Sequence, residues 1–95
     1  MDKKFSDYEV SSGTLKHDDI ASAIQMFAFI ENIPKLKELS VEFFEIFSTN
    51  EYSELLDEIL EEMYYAMDEL AEDGYCFGSL EGDGACLGFW KFEDL

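Results

Sequence analysis

The sequence predicts an α+β fold: three helices packed against a C-terminal antiparallel β-hairpin, with a short N-terminal segment as a candidate third strand. Three observations lead there. Between residues 18 and 72 the apolar residues recur at steps of three and four, in three blocks separated by Ile33-Pro34 and Ser48-Thr49-Asn50. After Asp73-Gly74 the pattern changes to two short aromatic and aliphatic runs joined by Gly82-Asp83-Gly84, and Asp-Gly between apolar runs is a strong hairpin signal. The length, 95 residues, suits a single domain spanning 1–95, with no repeats, linkers or low-complexity segments.

Taken in order, residues 1 to 6 read as polar and mobile, with Lys3 and Lys4 among the few positive charges. Tyr8-Glu9-Val10 offers an edge strand, and Ser11-Ser12-Gly13-Thr14 is turn chemistry. The first helix is expected from Asp18 to Asn32, with Asp18 and Asp19 placed where a first turn favours negative charge. Its apolar set is Ile20, Ala23, Ile24, Phe27 and Ile30, widened by Met26, Ala28 and Phe29. A helix this apolar is either nearly buried or faces a partner. Ile33 ends it, because a residue before proline avoids the helical region, and Pro34 opens the next helix.

The second helix is expected over residues 35 to 48, with Leu36, Leu39, Phe43, Ile46 and Phe47 inside and Lys35, Glu38, Glu42 and Glu45 outside. The third, Glu51 to Glu72, shows the clearest pattern. Tyr52, Leu55, Leu56, Ile59, Leu60, Met63, Met67 and Leu70 make its inner stripe. Ser48, Thr49 or Asn50 is expected to cap it, and Gly74 to stop it in a left-handed cap. In the hairpin, a two-residue Asp83-Gly84 turn sets Leu80 opposite Leu87, Gly78 opposite Phe89, Cys76 opposite Lys91 and Cys86 opposite Glu81. That register keeps the two cysteines too far apart for a disulfide with each other.

Composition narrows the function. The chain is 47% hydrophobic and 16% aromatic, which is enough to fold despite a net charge of -17. Such a charge repels nucleic-acid phosphates and anionic membrane, and favours a basic protein cleft or divalent cations. No run of residues is apolar enough to span a bilayer, MDKKFSDYEV lacks the apolar core of a secretory signal, and two cysteines make no disulfide framework. A reducing cytoplasm is expected.

No catalytic constellation is visible. His17, the one histidine, reads as a surface or capping residue beside Lys16 and Asp18. Cys76 and Cys86 lack the C-x-x-C spacing of a zinc site. Glu81-Gly82-Asp83-Gly84 is too short for a calcium loop. Gly78, Gly82, Gly84 and Gly88 lack the strand-then-helix setting of a phosphate loop and suit turns and sheet bends. The expectation is no enzyme, no cofactor and no metal.

What remains is the outer face of the third helix: Glu54, Asp57, Glu58, Glu61, Glu62, Asp68, Glu69 and Glu72. Like charges at i, i+4 cost about 0.2–0.5 kcal/mol per pair. Glu54/Glu58, Asp57/Glu61, Glu58/Glu62 and Asp68/Glu72 are such pairs, and no lysine or arginine occurs between Lys37 and Lys91 to offset them. A rigid row of carboxylates spaced like successive phosphates suits a cleft shaped for DNA or RNA, with association steered by charge and weakened by salt.

Two stretches carry a resemblance. Ser12-Gly13-Thr14 with Asp19-Ile20, and Tyr75-Cys76-Phe77-Gly78 followed by Gly82-Asp83-Gly84 and Gly88-Phe89-Trp90, resemble a family of small acidic proteins of phages and mobile elements. Cys86-Leu87 stands where that family has an acidic-aromatic pair, and Asp73-Gly74 where prolines are common. The resemblance covers about a quarter of the positions. It implies a protein made in the cytoplasm of a phage-carrying bacterium. By analogy with other small acidic phage proteins, the expected role is a non-enzymatic counter-defence inhibitor of the anti-CRISPR or anti-restriction type. Its partner would be a basic nucleic-acid-binding host protein, a CRISPR effector or nuclease. The alternative is a phage structural or assembly protein that self-associates, as a dimer for example, through the first helix around Met26 and Phe29.

Overall fold

The computed structural model describes residues 4–14, 16–80 and 82–94. Its elements run β1 (Tyr8–Ser11), α1 (His17–Glu31), α2 (Pro34–Thr49), α3 (Glu54–Asp68), β2 (Tyr75–Leu80) and β3 (Asp83–Lys91), closed by a 3-10 turn over Phe92–Asp94. This is the expected α+β architecture, three helices and an antiparallel sheet of order β1-β3-β2. The N-terminal segment does supply the third strand, on the open side of β3. α1 lies against β1 and α3 against β2, while α2 packs mainly on α1 and α3.

The helix ends follow from local chemistry. α1 carries Asp18 and Asp19 in its first turn and stops at Asn32, which turns left-handed (φ 57). Ile33 is extended, as a residue before proline should be, and Pro34 takes the first position of α2. Buried Ser40 on α2 is satisfied locally, its hydroxyl donating to the Lys37 carbonyl at 2.9 Å. α3 is capped by Ser53, whose hydroxyl accepts from the Leu55 N–H. The expected caps do other work: Ser48 and Thr49 donate to the Glu45 and Ile46 carbonyls at the end of α2. The first-turn positions also depart from the expected inner stripe. Tyr52 is 87% exposed and precedes the helix, and Leu55 is exposed. Leu56, Ile59, Leu60, Met63 and Met67 are buried as the period requires.

α3 ends at Asp68 rather than near Gly74, and the cause lies at the other end of the chain. The Phe5 N–H donates to the Leu70 carbonyl at 2.8 Å, and the Glu72 N–H donates to the Phe5 carbonyl at 2.9 Å. These bonds pull Leu70–Glu72 out of the helix into a parallel bridge between Phe5 and Ala71. Gly74 then sits in the turn closed by the Tyr75 N–H on the Glu72 carbonyl. The expectation of a mobile N-terminal segment is corrected with it: Lys4, Phe5 and Ser6 are ordered, and Phe5 is buried. Lys3 lies outside the described residues.

The hairpin register differs by one residue from the expected one. Phe77 pairs with Phe89, Gly78 with Gly88, Cys76 with Trp90 and Tyr75 with Lys91. Leu80 pairs with Asp83, Gly82 before it has φ 85, and Gly84, Ala85 and Cys86 form an irregularity in β3 between the Asp83 and Leu87 pairs. Glu81, the partner expected for Cys86, lies outside the described residues. The physical reason is the core. Residues directly opposite share a face of the sheet. The observed register therefore sets Phe77 and Phe89 side by side, whereas the expected one would have put them on opposite faces.

That inner face builds an aromatic cluster. Phe89 stacks on Phe5 at 5.4 Å, and Phe27 meets Phe5 edge-on at 4.9 Å. Tyr8 and Phe77 close the two sides, and Phe77 in turn meets Tyr64 of α3. All these centroid separations fall in the range where aromatic pairs add about 0.5–1.5 kcal/mol beyond burial.

Candidate functional site

The carboxylates of α3 stand where the period put them. The burial of Leu56, Ile59, Leu60, Met63, Ala66 and Met67 turns one side of the helix inward and leaves the other to water. Glu54, Asp57, Glu58, Glu61, Glu62 and Asp68 lie on α3, and all six are exposed. Glu69 caps the helix and Glu72 lies beyond it, both exposed. Glu72 is therefore beside the row rather than in it, and Asp68/Glu72 is no longer a helical i, i+4 pair. Glu54, Glu58, Glu61 and Asp68 mark an outer stripe about 21 Å long at 1.5 Å per residue.

Three contacts change the character of individual members. Asp57 Oδ1 lies 3.0 Å from His17 Nδ1, so the histidine at the start of α1 is tied to the row on α3. Asp68 Oδ1 accepts the Phe77 N–H at 3.0 Å, which gives it a structural task at the join of α3 and β2. Lys4 Nζ donates to the Glu69 carbonyl at 2.6 Å, bringing a cation to the negative end of a helix that has no basic residue in its last turn. Glu54, Glu58, Glu61 and Glu62 are left as the acids on α3 that no other element engages among the described residues.

One residue of this face escaped the sequence reading. Tyr65 follows Glu54, Glu58 and Glu61 in the same four-three-four stripe, is 65% exposed, and donates its hydroxyl to Glu61 Oε1 at 3.3 Å. Its spacing was the available signal. A tyrosine in the middle of an acidic stripe supplies flat apolar area at low entropic cost, the kind of residue that anchors interfaces.

The cysteines behave as structural groups. Cys86 Sγ donates to Glu9 Oε1 at 3.2 Å across the outer face of the sheet. That hydrogen bond, with burial and the charges of Glu9 and Asp83, pushes the Cys86 thiol up to about 11. Burial and the nearby Asp68 carboxylate raise Cys76 as well. These shifts are opposite to what a nucleophilic thiolate requires. A group raised in the folded state stabilises it below its ordinary pKa, here near 9, and loses that contribution as pH climbs to about 11. Thermal stability is therefore expected to fall between about pH 9 and 11. In Cys86→Ala the fall should be shallower, with Cys76 and Tyr64, whose phenol burial also raises, still contributing. Melting curves across that pH range check it.

Among the described residues no group of three or more His, Cys, Asp or Glu is placed to hold a metal ion. No described helix is long and apolar enough to cross a membrane. The fold and site thus define a small α+β domain displaying a carboxylate stripe with an aromatic centre. In comparisons with known proteins, no family model matches the chain, and no curated protein or solved structure is detectably similar to it.

Proposed function

We propose that this protein is a non-enzymatic inhibitor whose α3 face mimics nucleic-acid phosphates and occupies the basic DNA- or RNA-binding cleft of another protein. The observation that carries the reading is the uncompensated outer face: Glu54, Glu58, Glu61 and Glu62 are exposed on a rigid helix and form no ion pair among the described residues. Like-charge spacing on a helix costs stability, so a chain that keeps it gains elsewhere, and binding a cation-lined groove recovers that cost. Tyr65 adds an anchor that can stack where a base would lie. The resemblance of Tyr75–Gly78 and Gly88–Trp90 to small acidic phage proteins supports a counter-defence setting in the bacterial cytoplasm, with a CRISPR effector or nuclease as the partner. A phage structural or assembly role is the second reading, favoured by the exposure of Met26 and Phe29 on α1.

The test is competition. A panel of purified nucleases and CRISPR effectors is titrated with labelled DNA in the presence of the protein. Wild type should displace DNA from at least one, less effectively as salt rises. Replacing Glu54, Glu58, Glu61 and Glu62 with lysine should weaken displacement about a hundredfold, taking ~0.7 kcal/mol for each charge contact. Lysine and glutamate have similar helix propensity, so circular dichroism should be unchanged. If the reversed protein displaces DNA equally well, the face is a solvated surface and nothing more.

A further inference from the structure

The outer face of α1 is the opposite of α3. From Ile20 to Ile30, eleven residues, it carries no charge at all, in a chain of net charge -17. Met26 is 65% exposed, Phe29 54% and Ile30 68%. Ser22, also exposed, and half-buried Ala23 are small enough to let a second backbone approach closely. The two ends of this stripe differ in net sign: Asp18 and Asp19 outnumber Lys16 at the start, and Lys35 and Lys37 outnumber Glu31 at the end. At the start of α1 stand Asp18 and Asp19. At its end, Lys37 of α2 reaches back over the Phe29 ring, 5.3 Å from the centroid, and also bonds the Asn32 side chain.

We infer that α1 is the contact surface of a two-fold homodimer in which the α1 helices of two copies pack antiparallel. Only that orientation brings the acidic start of each helix to the Lys37 end of the other. It also opposes the two helix dipoles favourably. A parallel arrangement would set Asp18 and Asp19 against their own copies. Asp18, Ser22, Met26 and Phe29 follow at steps of four, four and three, which is the stripe a pair of packed helices presents. A second copy is the occupant favoured by charge. Two chains that repel each other elsewhere can approach most closely where neither carries charge, and at the ends the signs are complementary. Dimerisation through α1 does not depend on the acidic stripe of α3.

Sedimentation of the full chain over a wide concentration range tests it. The expected mass is twice the 11.0 kDa of one chain. Association should strengthen with salt, because screening acts on the overall repulsion between two acidic chains. Met26→Glu with Phe29→Glu should give monomers of unchanged circular dichroism, since both side chains are exposed. Lys37→Glu should weaken the dimer at least tenfold, and adding Asp18→Lys in the same chain should restore it. The α3 lysine variants should still dimerise, which separates this result from failure of the inhibitor reading. A monomeric wild type, a dimer untouched by the α1 glutamates, or a monomer that instead binds neutral lipid vesicles through Met26 and Phe29 would overturn the assignment. Weakening by Lys37→Glu that Asp18→Lys does not repair would overturn the antiparallel orientation.

Discussion

Phe5→Ala is expected to cost about 3–5 kcal/mol, the range for truncating a buried aromatic side chain. Small domains hold only about 5–15 kcal/mol in total. The midpoint of thermal unfolding should drop by roughly 12–40 °C, at about 4–8 °C per kcal/mol for a domain of this size. The size of the effect follows from the position of the ring. It stacks on Phe89 and meets Phe27 and Tyr8, so one deletion removes contacts to β1, α1 and β3 together. The backbone of Phe5 meanwhile terminates α3 through its bonds to Leu70 and Glu72. A Phe5→Leu variant separates the two roles. It keeps most of the apolar volume and all of the backbone bonds, and should recover more than half of the loss. A melting temperature unchanged in Phe5→Ala would show that the N-terminal segment is an accessory to the fold.

Phe5 also shows where sequence reasoning stops. The three helices, their order and the hairpin were legible because periodicity, proline and turn residues are local signals. Pro34 fixed one helix boundary correctly for the stated reason. The role of Phe5 was not legible, because its partners Leu70, Ala71 and Phe89 are more than sixty residues away. The end of α3 was missed for the same cause. The hairpin register failed differently: Gly82 and Gly84 both offered a turn, and the choice between them was made by Phe77 and Phe89 needing one face. Tyr52 and Leu55 fit the helical period, yet Tyr52 precedes α3, Leu55 lies in its first turn, and both are exposed.

The acidic face was legible in outline and not in detail. Exposure of Glu54, Glu58, Glu61 and Glu62 follows directly from the burial of Leu56, Ile59, Leu60 and Met63. The separate engagements of Asp57, Asp68 and Glu69 do not, since His17, Phe77 and Lys4 come from other elements. These contacts set apart Asp57 and Asp68, whose carboxylates bind groups of other elements, from the rest of the row. Substitutions at Asp57 or Asp68 therefore carry a stability effect that would confuse a binding measurement, and the lysine set avoids them.

Gly88→Ala is expected to dislodge β1 from the sheet. A Cβ at Gly88 would lie 2.3 Å from the Tyr8 carbonyl oxygen, 2.8 Å from the Trp90 ring and 3.0 Å from the Glu9 Cα. Two of these neighbours are backbone, so no rotamer change relieves the overlap. β1 has to move away from β3, or β3 has to bend. Overpacking of a well-filled site typically costs about 1–3 kcal/mol, and backbone displacement puts this case at or above the top of that range. The local consequences are specific. Tyr8 would leave the aromatic cluster, the Trp90 indole would lose its seat over Gly88, and Glu9 would draw away from Cys86. The Cys86 thiol, held near 11 first by its hydrogen bond to Glu9, should then titrate closer to its ordinary value and react faster with alkylating reagents at mildly alkaline pH. Gly84→Ala is the control, because nothing lies within 4 Å of a Cβ at that position. Its melting temperature, tryptophan fluorescence and thiol titration should match wild type, while Gly88→Ala should shift all three. If Gly88→Ala lowers stability yet leaves the thiol titration in place, β1 has stayed with β3 and the strain has been absorbed by Trp90 instead.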